Sequence, residues 1–192
     1  MRLLIAAKAD LEATDLDGKT ALMWAARFGL TESLQLLIAA NANLETRDYS
    51  NRTAVIWASV RDKPECLRLL IAANADLEAR DADGLTTLMW AAYRGHIECL
   101  QLLIAAKADM EAKDLDRKTA LIECAIRDDD RESFPLLIAA KADLEVEDVN
   151  GRTALMWIAG RGCLRNLELL LDAKVEQEAK DIDGFMSRMR LM

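Results

Sequence analysis

The chain has 192 residues, a formal net charge of −8, 52% apolar residues and 5% aromatic residues. This length allows one domain or one array of repeats. Two prolines and eight glycines are few for a strand-and-turn fold, so the composition favours helices. An acidic chain lacks the basic field that releases counterions from a phosphate backbone, so we expect no nucleic-acid binding.

Four cysteines and a single histidine limit the metal chemistry of the chain. Cys66, Cys99, Cys124 and Cys163 lie in apolar stretches without a C-x-x-C pair, so we expect no metal site. Thiols in such stretches behave as small hydrophobic groups and favour an intracellular, cytoplasmic location. The apolar runs are all shorter than the roughly 20 residues that span a bilayer, so we expect no membrane association.

One apolar segment recurs along the chain. The sequence LLIAA begins at residues 3, 36, 69, 102 and 136, and its variant LLLDA begins at residue 169. The successive steps are 33, 33, 33, 34 and 33 residues. A constant period of this length indicates stacked structural units that share one elongated core.

Each unit predicts a polar turn followed by two short helices. The turns read DLDGKT, DYSNRT, DADGLT, DLDRKT and DVNGRT. Asp, Asn and Gly form turns at these positions, and the closing threonine is a candidate N-cap for the first helix. The second helix carries apolar residues at i, i+3 and i+4, as in SLQLLIAA.

The segments that follow the turns are TALMWAA, TAVIWAS, TTLMWAA, TALIECA and TALMWIA. With the 33-residue period, they resemble the ankyrin repeat family, whose pattern is T-P-L-H-x-A. The resemblance implies an all-α solenoid of helix-turn-helix repeats with projecting β-turn fingers. It also implies a concave face built from the first helices and the fingers, and protein recognition without catalysis and without a cofactor.

On this resemblance, residues 1–192 form a single ankyrin repeat domain. We expect full repeats at about 14–46, 47–79, 80–112, 113–146 and 147–179, with partial repeats at 1–13 and 180–192. Partial repeats at both ends would leave apolar surface uncovered. We therefore expect either a piece of a longer solenoid or a short protein with frayed ends.

The chain departs from the family pattern at four positions of the repeat. The Pro is Ala or Thr, and the His is Met or Ile, so we expect dispersion packing where the family has a hydrogen-bonded ladder. The Gly after the second helix is Lys or Asn, and Lys adopts the left-handed conformation less readily than Asn. The family's Asn that becomes hydroxylated is Glu, so we expect no such modification.

The fourth unit is irregular. Arg117 replaces the turn glycine, where a positive φ would strain a side chain, and Glu123 replaces Trp. An extra residue falls in the Asp128–Asp130 turn, and Pro135 is predicted to kink the second helix about one turn from its start. We favour drift over adaptation to a partner, because a linear stack tolerates one poor unit.

A row of tryptophans marks the first helices. They are Trp24, Trp57, Trp90 and Trp157, and the residues four positions later are Phe28, Arg61, Arg94 and Arg161. Because residues i and i+4 share a helix face, we expect an aromatic stack in unit one and Arg over Trp elsewhere. In unit four the same spacing predicts a Glu123–Arg127 charge pair. Two interpretations are open: a packing ladder, or a groove of hot-spot residues for an extended peptide that is acidic or carries aromatic residues.

The finger tips form a second row of candidate contacts. They are Leu16, Tyr49, Ala82, Leu115, Val149 and Ile182. Exposed apolar tips would contact a partner, whereas the alternative is ordinary packing between fingers. Three other motifs carry no chemistry: Gly18-Lys19-Thr20 lacks the rest of a phosphate-binding loop, the Asp15–Gly18 turn lacks the rest of a calcium loop, and His96 has no catalytic partner.

The sequence thus predicts a non-catalytic protein–protein interaction scaffold. Its expected partner is a protein or extended peptide held on the concave face and the finger tips, and an acidic one would suit the row of arginines. We expect a monomer or part of a longer chain. The alternative is a regulatory or substrate-recruiting module of a longer multidomain enzyme.

Overall fold

A computed structural model describes residues 9–127 and 132–174, and in those residues all regular secondary structure is helical. The first helices of units one to five are α1 (Ala21–Phe28), α3 (Ala54–Val60), α5 (Thr87–Arg94), α7 (Ala120–Ala125) and α9 (Ala154–Arg161). The second helices are α2 (Thr31–Ala39), α4 (Pro64–Ala72), α6 (Ile97–Ala105), α8 (Ser133–Ala139) and α10 (164–174). The tip residue Ile182, the Asp128–Asp130 turn and most of both terminal partial repeats lie outside the described residues.

The helices stack in consecutive layers. In units one to four, each first helix packs on its own second helix and on the first helix of the next unit, and the second helices of these units pack on one another in turn. The second leucine of the LLIAA segment, or of its LLLDA variant, is fully buried in every unit: Leu37, Leu70, Leu103, Leu137 and Leu170. Burial of one such side chain contributes about 1.5–3 kcal/mol. The expected all-α repeat array is confirmed.

Threonine precedes every first helix, but its hydroxyl caps only two of them. Thr20 and Thr86 accept the backbone N–H groups of Met23 and Met89, each at 3.4 Å. The threonines at the other three N-cap positions make no such bond. The hydroxyl cap is therefore confirmed in units one and three and wrong in the others, where an extended threonine backbone alone begins the helix.

The left-handed positions include residues that carry side chains. Asn41 and Asn74 have φ of 61° and 59° after their second helices, and Lys107 and Lys141 have φ of 61° and 67°. The turn residue Arg117 has φ of 60°, where units one, three and five have glycine. This conformation costs an L-residue about 1–2 kcal/mol, so Arg117 carries the strain expected from the sequence.

Pro135 does not interrupt its helix. Helix α8 begins at Ser133, which places Pro135 in the first turn. The N–H groups of a first turn have no acceptor within the helix, so a proline there removes no intrahelical bond. The predicted kink is wrong because the helix begins closer to Pro135 than the repeat pattern indicated.

Three of the four cysteines are packed in the stack, as expected for small hydrophobic groups. Cys66, Cys99 and Cys124 are buried, Cys163 is partly buried, and none of the four forms a disulfide bond. Burial raises the pKa of the Cys66 thiol. Burial and the nearby Asp62 carboxylate raise the pKa of Cys99 to about 12, so this thiol stays protonated at neutral pH.

Candidate binding surface on the first helices and fingers

Each tryptophan of the first helices donates its indole N–H to the aspartate that begins the finger of its own unit. In unit two, Asp48 Oδ1 accepts the backbone N–H groups of Ser50 and Arg52, both at 2.9 Å. Asp48 Oδ2 accepts the indole N–H of Trp57 at 2.9 Å. The same indole bond joins Trp24 to Asp15 at 2.8 Å, Trp90 to Asp81 at 2.9 Å and Trp157 to Asp148 at 3.1 Å.

This bond explains why tryptophan recurs. A buried carboxylate is costly unless hydrogen bonds replace its water, and Asp48 and Asp81 are both buried. The indole supplies a donor while its ring fills space between finger and helix. These aspartates were not predicted as partners of the tryptophans, although the constant nine-residue spacing between the two carried the signal.

The tryptophans differ in exposure. Trp57 and Trp90, in the middle of the stack, are only 6% and 7% exposed. Trp24 is 37% exposed, and Trp157 is partly buried. The middle indoles thus lie inside the protein and offer little surface to a partner, whereas Trp24 reaches solvent.

The expected contacts between i and i+4 form in units one to three. Trp24 and Phe28 stack with ring centroids 5.3 Å apart and planes inclined by 13°. The guanidinium carbon of Arg61 lies 5.9 Å from the Trp57 ring centroid. In unit three, the corresponding distance from Arg94 to Trp90 is 5.5 Å.

The expected contacts between i and i+4, Glu123 with Arg127 and Trp157 with Arg161, are wrong in units four and five. The Trp157 ring is covered by Arg152, whose guanidinium carbon lies 3.9 Å from its centroid, and Arg161 is exposed without a contact to that ring. In unit four, the charged partner of Glu123 is Lys118 at 3.2 Å. Arg127 instead lies over the ring of Tyr93 at 5.7 Å and donates to the Tyr93 carbonyl oxygen. Side chains from the fingers therefore occupy the places predicted for helix residues.

A second set of cations comes from the turns. The guanidinium carbon of Arg52 lies 5.2 Å from the Trp57 centroid and 4.7 Å from the Trp90 centroid, so this side chain bridges two units. Arg52 Nε also lies 3.3 Å from Asp81 Oδ2. Lys19 Nζ lies 5.6 Å from the Trp57 centroid. Stacking of this turn position across units was not predicted from the sequence.

The finger tips are exposed and linked through their backbones. Leu16 and Tyr49 are 96% and 80% exposed, and Leu115 and Val149 also face solvent. The N–H of Tyr49 donates to the Asp17 carbonyl of the preceding finger at 3.0 Å. The equivalent bonds join Ala82 to Ser50 at 2.9 Å, Leu115 to Asp83 at 3.3 Å and Val149 to Asp116 at 2.8 Å. The hydrogen bonds between fingers thus use the backbone, and most of the surface of these apolar tip side chains stays exposed.

A comparison with protein families supplies the classification. The profile for ankyrin repeats in three copies matches residues 1–81 and 88–183. The chain belongs to the ankyrin repeat family. Ankyrin repeats are generally protein–protein interaction modules, and the family is typically non-catalytic. No curated protein matches this chain.

The glutamates at the family's asparagine position join neighbouring ankyrin repeats. Glu45 Oε1 accepts the backbone N–H of Asp76 at 2.9 Å, and Glu78 Oε1 accepts that of Asp109 at 2.8 Å. Equivalent bonds run from Asn43 to Glu12 at 2.8 Å and from Asp143 to Glu111 at 2.9 Å. Burial raises the pKa of Glu78 and, likewise, that of Glu111. Glutamate therefore forms the link between repeats on this side of the stack.

The remaining candidate groups have structural roles. His96 precedes α6, and its Nδ1 lies 2.8 Å from the carbonyl oxygen of Ser59 in the preceding ankyrin repeat. Among the described residues, we find no cluster of three His, Cys, Asp or Glu side chains arranged to hold a metal ion. Within the same residues, each helix is too short or too polar to cross a bilayer.

Proposed function

We propose that this ankyrin array binds an extended segment of a partner protein along its finger tips and the adjoining exposed side chains of the first helices. The observation that carries the proposal is the row of exposed apolar tips, of which Leu16 and Tyr49 are the most exposed. Contiguous exposed apolar groups on a soluble protein are typical of interaction surfaces.

The backbone bonds between fingers support this role. Because each tip is tied to the preceding finger, as Tyr49 is to Asp17, the row is pre-organised before a partner arrives. A pre-formed surface loses little conformational entropy on binding, which leaves more of the contact energy for affinity. The bonds of Trp57 and Trp90 to their aspartates hold the base of the same fingers in place.

The charges at the C-terminal ends of the first helices favour acidic groups on the partner. Arg61, Arg94 and Arg161 are exposed at the ends of first helices in a chain of net charge −8. Charge complementarity sets orientation and speeds association. The Trp24–Phe28 stack at one end offers an exposed aromatic surface for an apolar or aromatic side chain. Four cysteines without a disulfide bond fit the reducing intracellular compartment that we propose for the protein.

Peptide display against the full chain tests this function. Peptides selected on the wild type are measured again on Tyr49→Ser/Leu115→Ser and on Arg61→Glu/Arg94→Glu. We expect each double variant to weaken binding at least tenfold, because each removes contacts at the centre of the surface. The control is Arg68→Glu/Arg165→Glu, an equal charge change to that of Arg61→Glu/Arg94→Glu at exposed positions on second helices. Unchanged affinity in both test variants, or an equal loss in the control, would contradict the proposal.

A further inference from the structure

The row of stacked cations is interrupted between units three and four. Arg52 lies between the rings of Trp57 and Trp90, at 5.2 Å and 4.7 Å from their centroids. One unit later, the residue at the Arg52 position is Leu85, and the residue at the Trp90 position is Glu123. At this junction the finger supplies no cation and the next first helix supplies no second indole, although Arg127 of unit four lies over Tyr93 at 5.7 Å.

A pocket of about 410 Å³ lies at this junction. Its apolar lining includes Leu85, Trp90, Tyr93 and Leu115. Tyr93 and Leu115 are both exposed, so the lining continues to the outer surface beside a finger tip. The pocket therefore offers aromatic and aliphatic surface to a side chain that enters from a partner lying along the tips.

The pocket is also strongly acidic. Four carboxylates line it, those of Asp83, Asp114, Asp116 and Glu123, and Lys118 is the cation among its lining residues. The Lys118 ammonium is shared by Asp116 at 3.0 Å, Glu123 at 3.2 Å and Asp114 at 3.5 Å. One ammonium cannot neutralise these carboxylates, so the pocket retains an excess of negative charge.

We propose that this pocket binds one arginine side chain of a partner protein, whose guanidinium pairs with the surrounding carboxylates and contacts the small part of Trp90 that lines the pocket. Arginine fits because Arg52 already makes the equivalent contacts, with two indoles and with the Asp81 carboxylate, one unit earlier. A planar guanidinium stacks on an aromatic ring and pairs with carboxylates in the same pose, which a lysine ammonium does less well. This inference rests on the proposed function, because the arginine would belong to the segment bound along the fingers.

The test uses acetyl-arginine amide as the probe, with its uncharged isostere acetyl-citrulline amide as control. The probes are titrated into the full chain while the indole N–H resonances are followed by NMR. We expect a saturable shift of Trp90, larger than those of Trp24 and Trp157, and at least tenfold weaker binding of the citrulline compound. Equal binding of the two compounds, or shifts spread over all indoles, would overturn the assignment. Nα-acetyl-lysine amide carries the same charge on an ammonium group. If it bound as tightly as the arginine compound, simple charge attraction would explain the binding and the assignment to arginine would be overturned.

Two variants place the site. Leu85→Arg supplies the missing cation from the protein itself and is expected to abolish the Trp90 shift. Asp116→Asn removes an exposed carboxylate at the pocket and is expected to weaken binding of the arginine probe several-fold. The control, Glu98→Asn, removes an exposed carboxylate on α6 and is expected to leave that binding unchanged. Binding that survives Leu85→Arg would refute the proposal. Because these probes do not use the finger tips, a failed peptide selection and a failed arginine titration are separate results.

Discussion

Units three and four solve the same structural problem with different chemistry. In unit three, Asp81 Oδ2 is bonded to the Trp90 indole at 2.9 Å. In unit four, Asp114 Oδ1 accepts the Lys118 backbone N–H at 2.7 Å, and Oδ2 lies 3.5 Å from the Lys118 ammonium. In both units, a side-chain donor binds Oδ2 of the first aspartate of the finger. The donor is the indole N–H in unit three and the Lys118 ammonium in unit four.

The exchange alters the electrostatics of unit four. Burial raises the pKa of Glu123, and the positive charge of Lys118 offsets only part of this increase. Burial acts to lower the pKa of Lys118, but its hydrogen bonds to Asp116 and Glu123 and the nearby charge of Asp114 outweigh burial and raise it. A buried charge network must offset its own desolvation, whereas an indole fills the same space with one donor and an apolar ring. Unit four thus has a buried charge pair where the other units have a packed indole, and a pocket lies beside that pair.

The largest expected effect tests the core that both units share. Leu103→Ala removes a fully buried side chain of unit three and should lower the free energy of unfolding by about 2–5 kcal/mol. Leu137→Ala makes the equivalent change in unit four and should cost a similar amount. Urea denaturation followed by circular dichroism measures both. Leu102→Ala, at a half-buried neighbour, is the control with a smaller loss; an equal loss there would contradict the assigned core.

The indole bond is tested by removing its donor. Trp90→Phe keeps an aromatic ring but takes the indole N–H from the buried Asp81, which should cost about 1–3 kcal/mol. Trp24→Phe removes the same bond where the ring is partly exposed, and its cost should be smaller. Urea denaturation compares the two variants. If Trp24→Phe cost as much as Trp90→Phe, desolvation of the aspartate would not be the reason for the bond.

The strained turn of unit four should improve when glycine is restored. Arg117→Gly relieves a left-handed conformation with φ of 60° and should stabilise the protein by about 1 kcal/mol. Gly151→Arg introduces that residue at the same turn position of unit five, where φ is 71° and a Cβ would meet no atom within 4 Å. Thermal unfolding should show opposite shifts of similar size. A loss of stability in Arg117→Gly would mean that the arginine side chain makes contacts worth more than the strain.

The smallest expected effect concerns pH and the glutamates between repeats. Burial raises the pKa of Glu78, at a joint between regular units, and of Glu111, at the joint with unit four. A raised folded-state pKa means that the folded protein binds the proton more tightly, so these carboxylates favour folding more as the pH falls from 7. Glu78→Gln should be slightly more stable than the wild type at pH 7, and the difference should close as acid protonates the wild-type carboxyl. Denaturation midpoints between pH 4 and pH 7 measure this; a difference that widens in acid would contradict it.

Much of the fold follows from the sequence, because its determinants are local and repeated. The 33-residue period, the polar turns and the spacing of leucines predicted helix pairs in a stack, and the turns predicted the left-handed Arg117. The Trp24–Phe28, Trp57–Arg61 and Trp90–Arg94 contacts were predictable because i and i+4 share a helix face. Pro135 was misjudged because the start of α8 depends on how the helix packs.

What the sequence determined by itself is the repeat, its helices and the family to which it belongs. The tertiary structure decided which charged group meets which ring. Arg52 contacts Trp90 thirty-eight positions away, and Lys118 rather than Arg127 pairs with Glu123. Helical spacing cannot rank such partners, because fingers and helices from adjacent units compete for the same ring or carboxylate. The acidic pocket between units three and four became visible only when those partners were assigned in three dimensions.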